Sequence, residues 1–327
     1  NVATTNTVAF KGLANYTKPQ IAYTSGAKYL LANGTLYSDT SVYTVTSSSG
    51  TDTGSLFYGI QTFATSKSNG AIVFSADLNG TPITINRTNV SAVNLHGVSL
   101  IGNSPETTQI KCIGSWTSNE SGGGTLMNLT IAGSTCSGTL FTRTGANRVY
   151  NCTISGNTTT GEIFALWGTG DQIHDCEFTD NIHTNPAATG AVIYLPQTGT
   201  VSNSLFKDNT NYKYALQVNG YASMVNSTAD NCIFMRSSRL YSILSAYNYC
   251  TIKNCTFYTD RDTVIQGAYF KGTNKFLGAA AFDRNGRRSY LSAGSILDFS
   301  ESTLSIWADR SSEQLLSGDP GDSDTVV

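Results

Sequence analysis

The sequence predicts an all-β chain folded as a right-handed parallel β-helix, with coils of about 23–31 residues and a short amphipathic helix capping its N-terminal end. A nine-residue pattern that recurs along the middle of the chain is the first ground. It reads LMNLTIAGS (126–134), VYNCTISGN (149–157), IHDCEFTDN (173–181), VSNSLFKDN (201–209), ADNCIFMRS (229–237) and IKNCTFYTD (252–260), with LHGVSLIGN (95–103) as an earlier relative. Large apolar residues mark the register at Leu100, Ile131, Ile154, Phe178, Phe206, Phe234 and Phe257. A second apolar run follows each pattern after a loop rich in Gly, Ser and Thr. The third ground is composition: charged residues make up 13% of the chain, about half of what an average soluble domain carries. Hydroxyls and amides, not ions, wet this surface.

Taken in order, residues 1–54 hold short β-like runs such as SVYTVTSSSG (41–50), expected to pack near the cap. In 55–70, Leu56, Phe57, Ile60 and Phe63 follow Ser55 at helical spacing and Gly70 closes the run, which predicts an amphipathic helix covering the open apolar end. The stretches AIVFSA (71–76), TPITI (81–85) and AVNLHGVSLIGNS (92–104) read as entry coils. The β-helix then occupies 55–270. Its second strands are SGTLFTRT (137–144), GEIFALWG (161–168), GAVIYLPQ (190–197), YALQVNG (214–220), YSILSAYN (241–248) and VIQGAYF (264–270). Residues 271–327 read as final coils or a cap, followed by a tail at 317–327.

Two columns of the repeat predict structural roles. Asn128, Asn151, Asp175, Asn203, Asn231 and Asn254 each lie three residues before the large apolar position. Asn and Asp tolerate left-handed backbone at a bend, and stacked amides can bond one another from coil to coil. Cys152, Cys176, Cys232 and Cys255 share one slot, with Ser204 in the intervening coil. Side chains of a stacked column point the same way, so these cysteines are expected as buried free thiols that pack as small hydrophobes. No CxxC spacing occurs and the only histidines are His96, His174 and His183, so neither a metal nor any other cofactor is expected.

A net charge of −2 with no basic stripe argues against nucleic acid. No apolar run of about 18 residues is present to span a membrane as a helix. Eleven N-x-[ST] sequons, at Asn15, Asn33, Asn79, Asn86, Asn89, Asn119, Asn128, Asn151, Asn157, Asn226 and Asn254, and the hydroxyl-rich surface point to an extracellular or cell-surface location.

The stacked Asn, Cys and aromatic columns, the cap and LHGVSLIGNS together resemble the pectate-lyase-like superfamily of right-handed parallel β-helices over roughly residues 50–270. Within it, FTDN (178–181) and FKDN (206–209), with GAVI (190–193) between them, resemble the FxxN and GGA[ILV] repeats of polymorphic outer-membrane-protein-type adhesins. That resemblance implies a surface adhesion or display domain that does not catalyse. The superfamily also implies the alternative of a polysaccharide lyase or glycoside hydrolase, whose candidate carboxylates and base here are Asp171, His174, Glu177, Asp180 and Asp208, with His183 in the same coil. Asp180 and Asp208 share a column. Catalysis would require at least two of these acids to converge. A third reading is a subunit of an extracellular filament or phage-type spike, which predicts self-association.

For binding, 17 Tyr and 3 Trp are many in a chain of so little charge. Trp167, Tyr194, Gln217 and Tyr247 lie on or beside second strands, where aromatic faces and amides suit an extended carbohydrate or a partner surface. Whether they face outward depends on strand register, and a shift of one residue inverts it.

Overall fold

The computed structural model describes residues 29–30, 36–37, 42–66, 70–86, 95, 97–114, 116–117, 123–185, 190–219, 227–236, 244–259, 265–283 and 290–307. They form a parallel β-solenoid of about seven turns. Sequons Asn15, Asn33, Asn89, Asn119 and Asn226, His96 and the tail at 317–327 lie outside the described residues.

One coil shows the plan. A first strand, Arg148–Tyr150, meets a bend at Asn151 and a second strand, Thr153–Ser155, bends again at Gly156 into a short third strand, Thr158–Thr159. After a loop comes the fourth strand, Phe164–Leu166, and a turn leads into the first strand of the next coil, Asp171–His174. Each strand pairs in parallel with its counterparts in the neighbouring coils, as in Tyr150↔His174, Ile154↔Phe178 and Phe164↔Ile193. First and fourth strands belong to one 16-stranded sheet, and second and third strands to a 13-stranded sheet. The runs anticipated as second strands are the fourth-strand column, because the first bend is so tight that two short strands already fit within the nine-residue pattern and a third follows directly after it.

The inward-facing apolar residues of the columns make one large core, and Ala71, Val73, Ile101 and Met127 form a small separate cluster. The centre of the large core is a stack of phenylalanines. Phe178, Phe206, Phe234, Phe257 and Phe276 lie ring on ring, with centroids 4.9–5.2 Å apart and planes within 10–15°. The spacing equals the distance between adjacent strands, about 4.8 Å, so the coil repeat itself sets the rings at stacking distance. The stack continues to Phe276 on the strand Thr273–Asp283, which pairs with Ile296–Trp307. The solenoid therefore runs on past residue 270.

At the other end, residues 56–66 are helical, with a π turn at Gly59–Phe63 between two short α segments. Ser55 caps the helix by accepting from the Tyr58 N–H. Leu56 and Ile60 are buried against the first coils, as the apolar spacing predicts, together with Ala64, while Phe57 and Phe63 pack against the same core only partly buried. The strand Val42–Val45 pairs with Ala71–Phe74 and is thus the first rung of the first-strand column.

The register corrects one expectation. Leu100 pairs with Leu126, in the first-strand column, and the partner of Ile131 in the second-strand column is Ile110. The LHGVSLIGN stretch is therefore shifted by a strand relative to the later repeats. Gly102 occupies the bend position beneath Asn128, where a Cβ would lie 2.0 Å from the Asn128 carbonyl oxygen. No side chain fits there, so the asparagine column starts one coil later.

The asparagine column is otherwise as expected. Asn128, Asn151, Asp175, Asn203, Asn231 and Asn254 all have φ between 48 and 63°. Their amides bond along the stack: Asn151 Nδ2 donates to Asn128 Oδ1 at 2.9 Å, Asn203 Nδ2 to Asp175 Oδ1 at 3.1 Å, and Asn231 Nδ2 to Asn203 Oδ1 at 2.9 Å. At the end of the row Asn254 Nδ2 turns to Asp230 Oδ1 instead.

Cys152, Cys176, Cys232 and Cys255 are buried free thiols. Each Sγ–H donates to the carbonyl two residues back, on Tyr150, His174, Asp230 and Lys253. Ser204 Oγ makes the same bond to Ser202 O in the intervening coil, which explains why serine substitutes there. Burial pushes the Cys176 and Cys232 thiols well up, so they stay protonated and keep donating.

Candidate functional site

The fourth-strand column positions the expected ligand-binding residues. Phe141, Phe164, Ile193 and Leu216 pair in register and point inward. Strand alternation then turns their successors Thr142, Ala165, Tyr194 and Gln217 to the outer face. Trp167 lies two residues beyond Ala165 on the same face and is 44% exposed. Its ring meets Tyr194 edge to face, with centroids 5.6 Å apart. Tyr247 pairs through its backbone with Asn219 and lies two positions beyond Ser245 on that strand; its side chain is outside the described residues. Trp167, Tyr194 and Gln217 are thus brought together over three successive coils. No described outer position from Thr142 through Ala165, Tyr194 and Gln217 carries a charge.

Of the candidate acids and histidines, Asp180 and Asp208 are neighbours in one column, whereas Asp171, His174, Glu177 and His183 lie at separate places on the coil. Asp171 is 1% exposed at the inner corner between fourth and first strands. Its Oδ1 accepts from Asn147 N at 2.8 Å and Asn147 Nδ2 at 2.9 Å, and its Oδ2 from Gly168 N at 2.9 Å. Burial pushes its pKa up to about 6, against the pull of these donors and of nearby Arg143. Arg143 is itself 1% exposed, and its guanidinium fills the space that a Cβ on Gly124 would take, with Nη2 2.2 Å away. Sequence reasoning missed this buried corner. The glycine beside a polar inward residue was its only signal.

His174 lies on the outer face of the first-strand column. Its Nδ1 contacts the Ser202 hydroxyl, its ring packs 5.3 Å from Tyr150, and burial holds its pKa below the usual value. Further along the same column Asp230 pairs with Lys253 at 3.1 Å. Glu177 stands on the outer face of the second-strand column, between Thr153 and Leu205.

Asp180 and Asp208 share the second bend, one rung apart, with φ of 56 and 53°. Gly133 and Gly156 hold the same bend in the two preceding coils, each at φ 61°. Asp208 also pairs with Lys207 at 3.4 Å. Here the backbone needs a residue that tolerates left-handed geometry, and aspartate is one of the few besides glycine. His183 packs edge to face on Tyr212, 5.3 Å away, at the third strand. Among the described residues no group of three or more His, Cys, Asp or Glu could hold a metal ion.

A second polar row went unrecognised in the sequence although the FxxN motif spells it. Asn157 and Asn181, both 0% exposed, and Asn209 follow the bend residues and point inward. Asn157 Nδ2 donates to Asn181 Oδ1 at 2.9 Å, and Asn181 Nδ2 to Asn209 Oδ1 at 2.8 Å. The same amides donate to the carbonyls of Ile131, Ile154 and Phe178. The side chains of the sequon residues Asn128, Asn151 and Asn157 are therefore taken up by buried bonds of the fold, whereas Asn79 and Asn254 of other sequons are exposed.

No protein-family model, no curated protein and no solved structure matches this chain. Among the described residues no helix is long and apolar enough to cross a membrane.

Proposed function

We propose that the chain is a β-helix of the pectate-lyase-like kind that acts as a noncatalytic adhesion, binding or display domain at an extracellular or cell surface, and that its fourth-strand face takes an extended carbohydrate. The observation that carries this reading is the exposed Trp167 set edge-on to Tyr194, beside Gln217, on an uncharged face. Aromatic rings stack on the apolar faces of sugars, and amide and hydroxyl groups read their hydroxyls. A face that runs across successive coils suits a ligand that is itself extended.

The reading of a lyase or hydrolase draws on the same superfamily, but it asks for convergent acids. Asp171 is committed to a buried corner, Asp180 and Asp208 to a bend, and Glu177 to another face. Binding to a glycan array, followed by titration calorimetry with the best oligosaccharide, tests the proposal. Trp167→Ala and Tyr194→Ala should each weaken binding at least tenfold with the fold intact. Full-strength binding by the double variant, or no binding to any glycan, would overturn it. Product release from an acidic polysaccharide that is lost in Asp180→Asn with Asp208→Asn would establish the enzyme instead.

A further inference from the structure

The first asparagine row has a fault in it. Each amide donates its Nδ2 toward the preceding coil and offers its Oδ1 to the following one, as Asn151 does to Asn128, Asn203 to Asp175 and Asn231 to Asn203. Asp175 holds the same bend position and accepts correctly from Asn203. A carboxylate, however, carries a second oxygen where the neighbouring amides have an amino group, and no hydrogen bond joins it to Asn151. Asn151 Oδ1 is buried and makes no hydrogen bond. Two acceptors thus face one another in a row whose other described members below Asn231 are donor to acceptor, and an unmatched buried acceptor costs about 1–3 kcal/mol.

We propose that Asp175 is a proton-operated junction in the solenoid: as a neutral carboxylic acid it donates to Asn151 Oδ1 and completes the row in one direction. Loss of the proton leaves two acceptors in opposition. The amides of Asn151 and Asn128 then turn over, so that Asn151 donates to the carboxylate from one side while Asn203 donates from the other. The direction of the row is reversed over two coils. An amide's orientation is set by its partners, and Asn128 is free to follow because Gly102, without a side chain, lies beneath it.

The surroundings favour the neutral form. Asp175 is 8% exposed, and its burial pushes its pKa up to about 6, offset only in part by the Asn203 bond. The titratable groups around it give little countercharge. Cys176, inside the coil, is held protonated by burial beside Cys152, and His174, the preceding residue, is held toward its neutral form by burial. Glu177 follows on the outer face of the next strand, between Thr153 and Leu205, and His174 is flanked in the adjoining coils by Tyr150 and Ser202. Asn151 and Asn203, above and below, are neutral.

Carbon-13 NMR of the Asp175 carboxyl and nitrogen-15 NMR of the Asn151 side-chain amide, followed from pH 4 to 8, test the junction. Both signals should move together with a midpoint near pH 6. In Asp175→Asn, which supplies the missing donor permanently, Asn151 should be flat across the range. In His174→Gln the Asn151 transition should persist, which separates it from imidazole titration. A carboxyl that titrates at its ordinary value near 4, or an Asn151 amide that stays still while Asp175 titrates, overturns the proposal. If Asp175→Asn does not fold, the wild-type titration decides alone.

Discussion

At the first bend of each coil the asparagine itself takes the left-handed conformation, and its side chain runs along the stack near the surface: Asn128 and Asn151 are buried, but Asn231 and Asn254 are exposed. At the second bend a glycine or aspartate takes that conformation, at Gly133, Gly156, Asp180 and Asp208, and the residue after it turns inward. Asn157 and Asn181 are consequently fully buried, and each amide there serves backbone carbonyls as well as its neighbour. One residue of offset from the backbone kink decides whether a polar row is a surface seam or part of the core. It follows that the two rows differ in what they contribute to stability, although in sequence they look alike.

Substitutions sharpen the contrast. Asn181→Ala leaves the Asn157 N–H without its partner, removes one of the two bonds of the Asn157 amide and takes a donor from the Ile154 carbonyl inside the core, and should destabilise by about 3 kcal/mol. Asn231→Ala removes one exposed bond and a favourable left-handed residue and should cost about 1 kcal/mol. Chemical denaturation of both variants checks this, and equal losses would break the distinction.

The acids at the corners give a pH signature. Asp171 and Asp175, with pKa values near 6 in the fold against about 3.9 in the unfolded chain, bind protons more tightly when native. Their stabilisation is complete below about pH 4 and is lost as pH rises through 6, a gain on acidification of about 1–3 kcal/mol. His174 and His183 are lowered and act oppositely, stabilising above about pH 6.5 and losing that contribution as pH falls. His174→Gln, with one opposing group removed, should melt at a higher temperature at pH 5 than at pH 7.5. A higher melting temperature at pH 7.5 would contradict the buried positions assigned to the two acids.

At the second bend, Asp180→Ala should cost about 1 kcal/mol through its left-handed backbone, whereas Asp180→Gly should stay within about 0.5 kcal/mol of wild type. Similar losses in both would point to a role for the carboxylate beyond conformation. The smallest effect belongs to the outer face: Trp167→Ala, 44% exposed in the parent, should leave stability within about 0.5 kcal/mol while weakening glycan binding. A large stability loss there would mean that the ring holds the fold.

Much of this was legible because a solenoid writes its contacts as a period. Asn151, Asp175 and Asn203 lie at matching places in successive repeats, and stacking follows from that alone. The same reading went astray at Leu100, where the entry coil has its residues distributed differently and Gly102 replaces the bend asparagine. It treated the FxxN asparagines as part of a motif and not as a second buried row, since periodicity identifies equivalent residues without saying where they point. The buried Arg143 was invisible for the same reason: a single arginine with no repeat partner reads as surface until a glycine is found beneath its guanidinium.

Sequence alone determined the coil, the first asparagine column, the free thiols and the aromatic stack, because each depends only on which residues recur and at what interval. The tertiary structure decided inside from outside. It turned Tyr194 and Gln217 to the outer face beside Trp167, placed Asp171 in a buried corner, and set Asp175 against Asn151 with an oxygen where a donor was needed. Direction in a strand alternates with every residue and each bend resets it, so that information exists only once the backbone path is known.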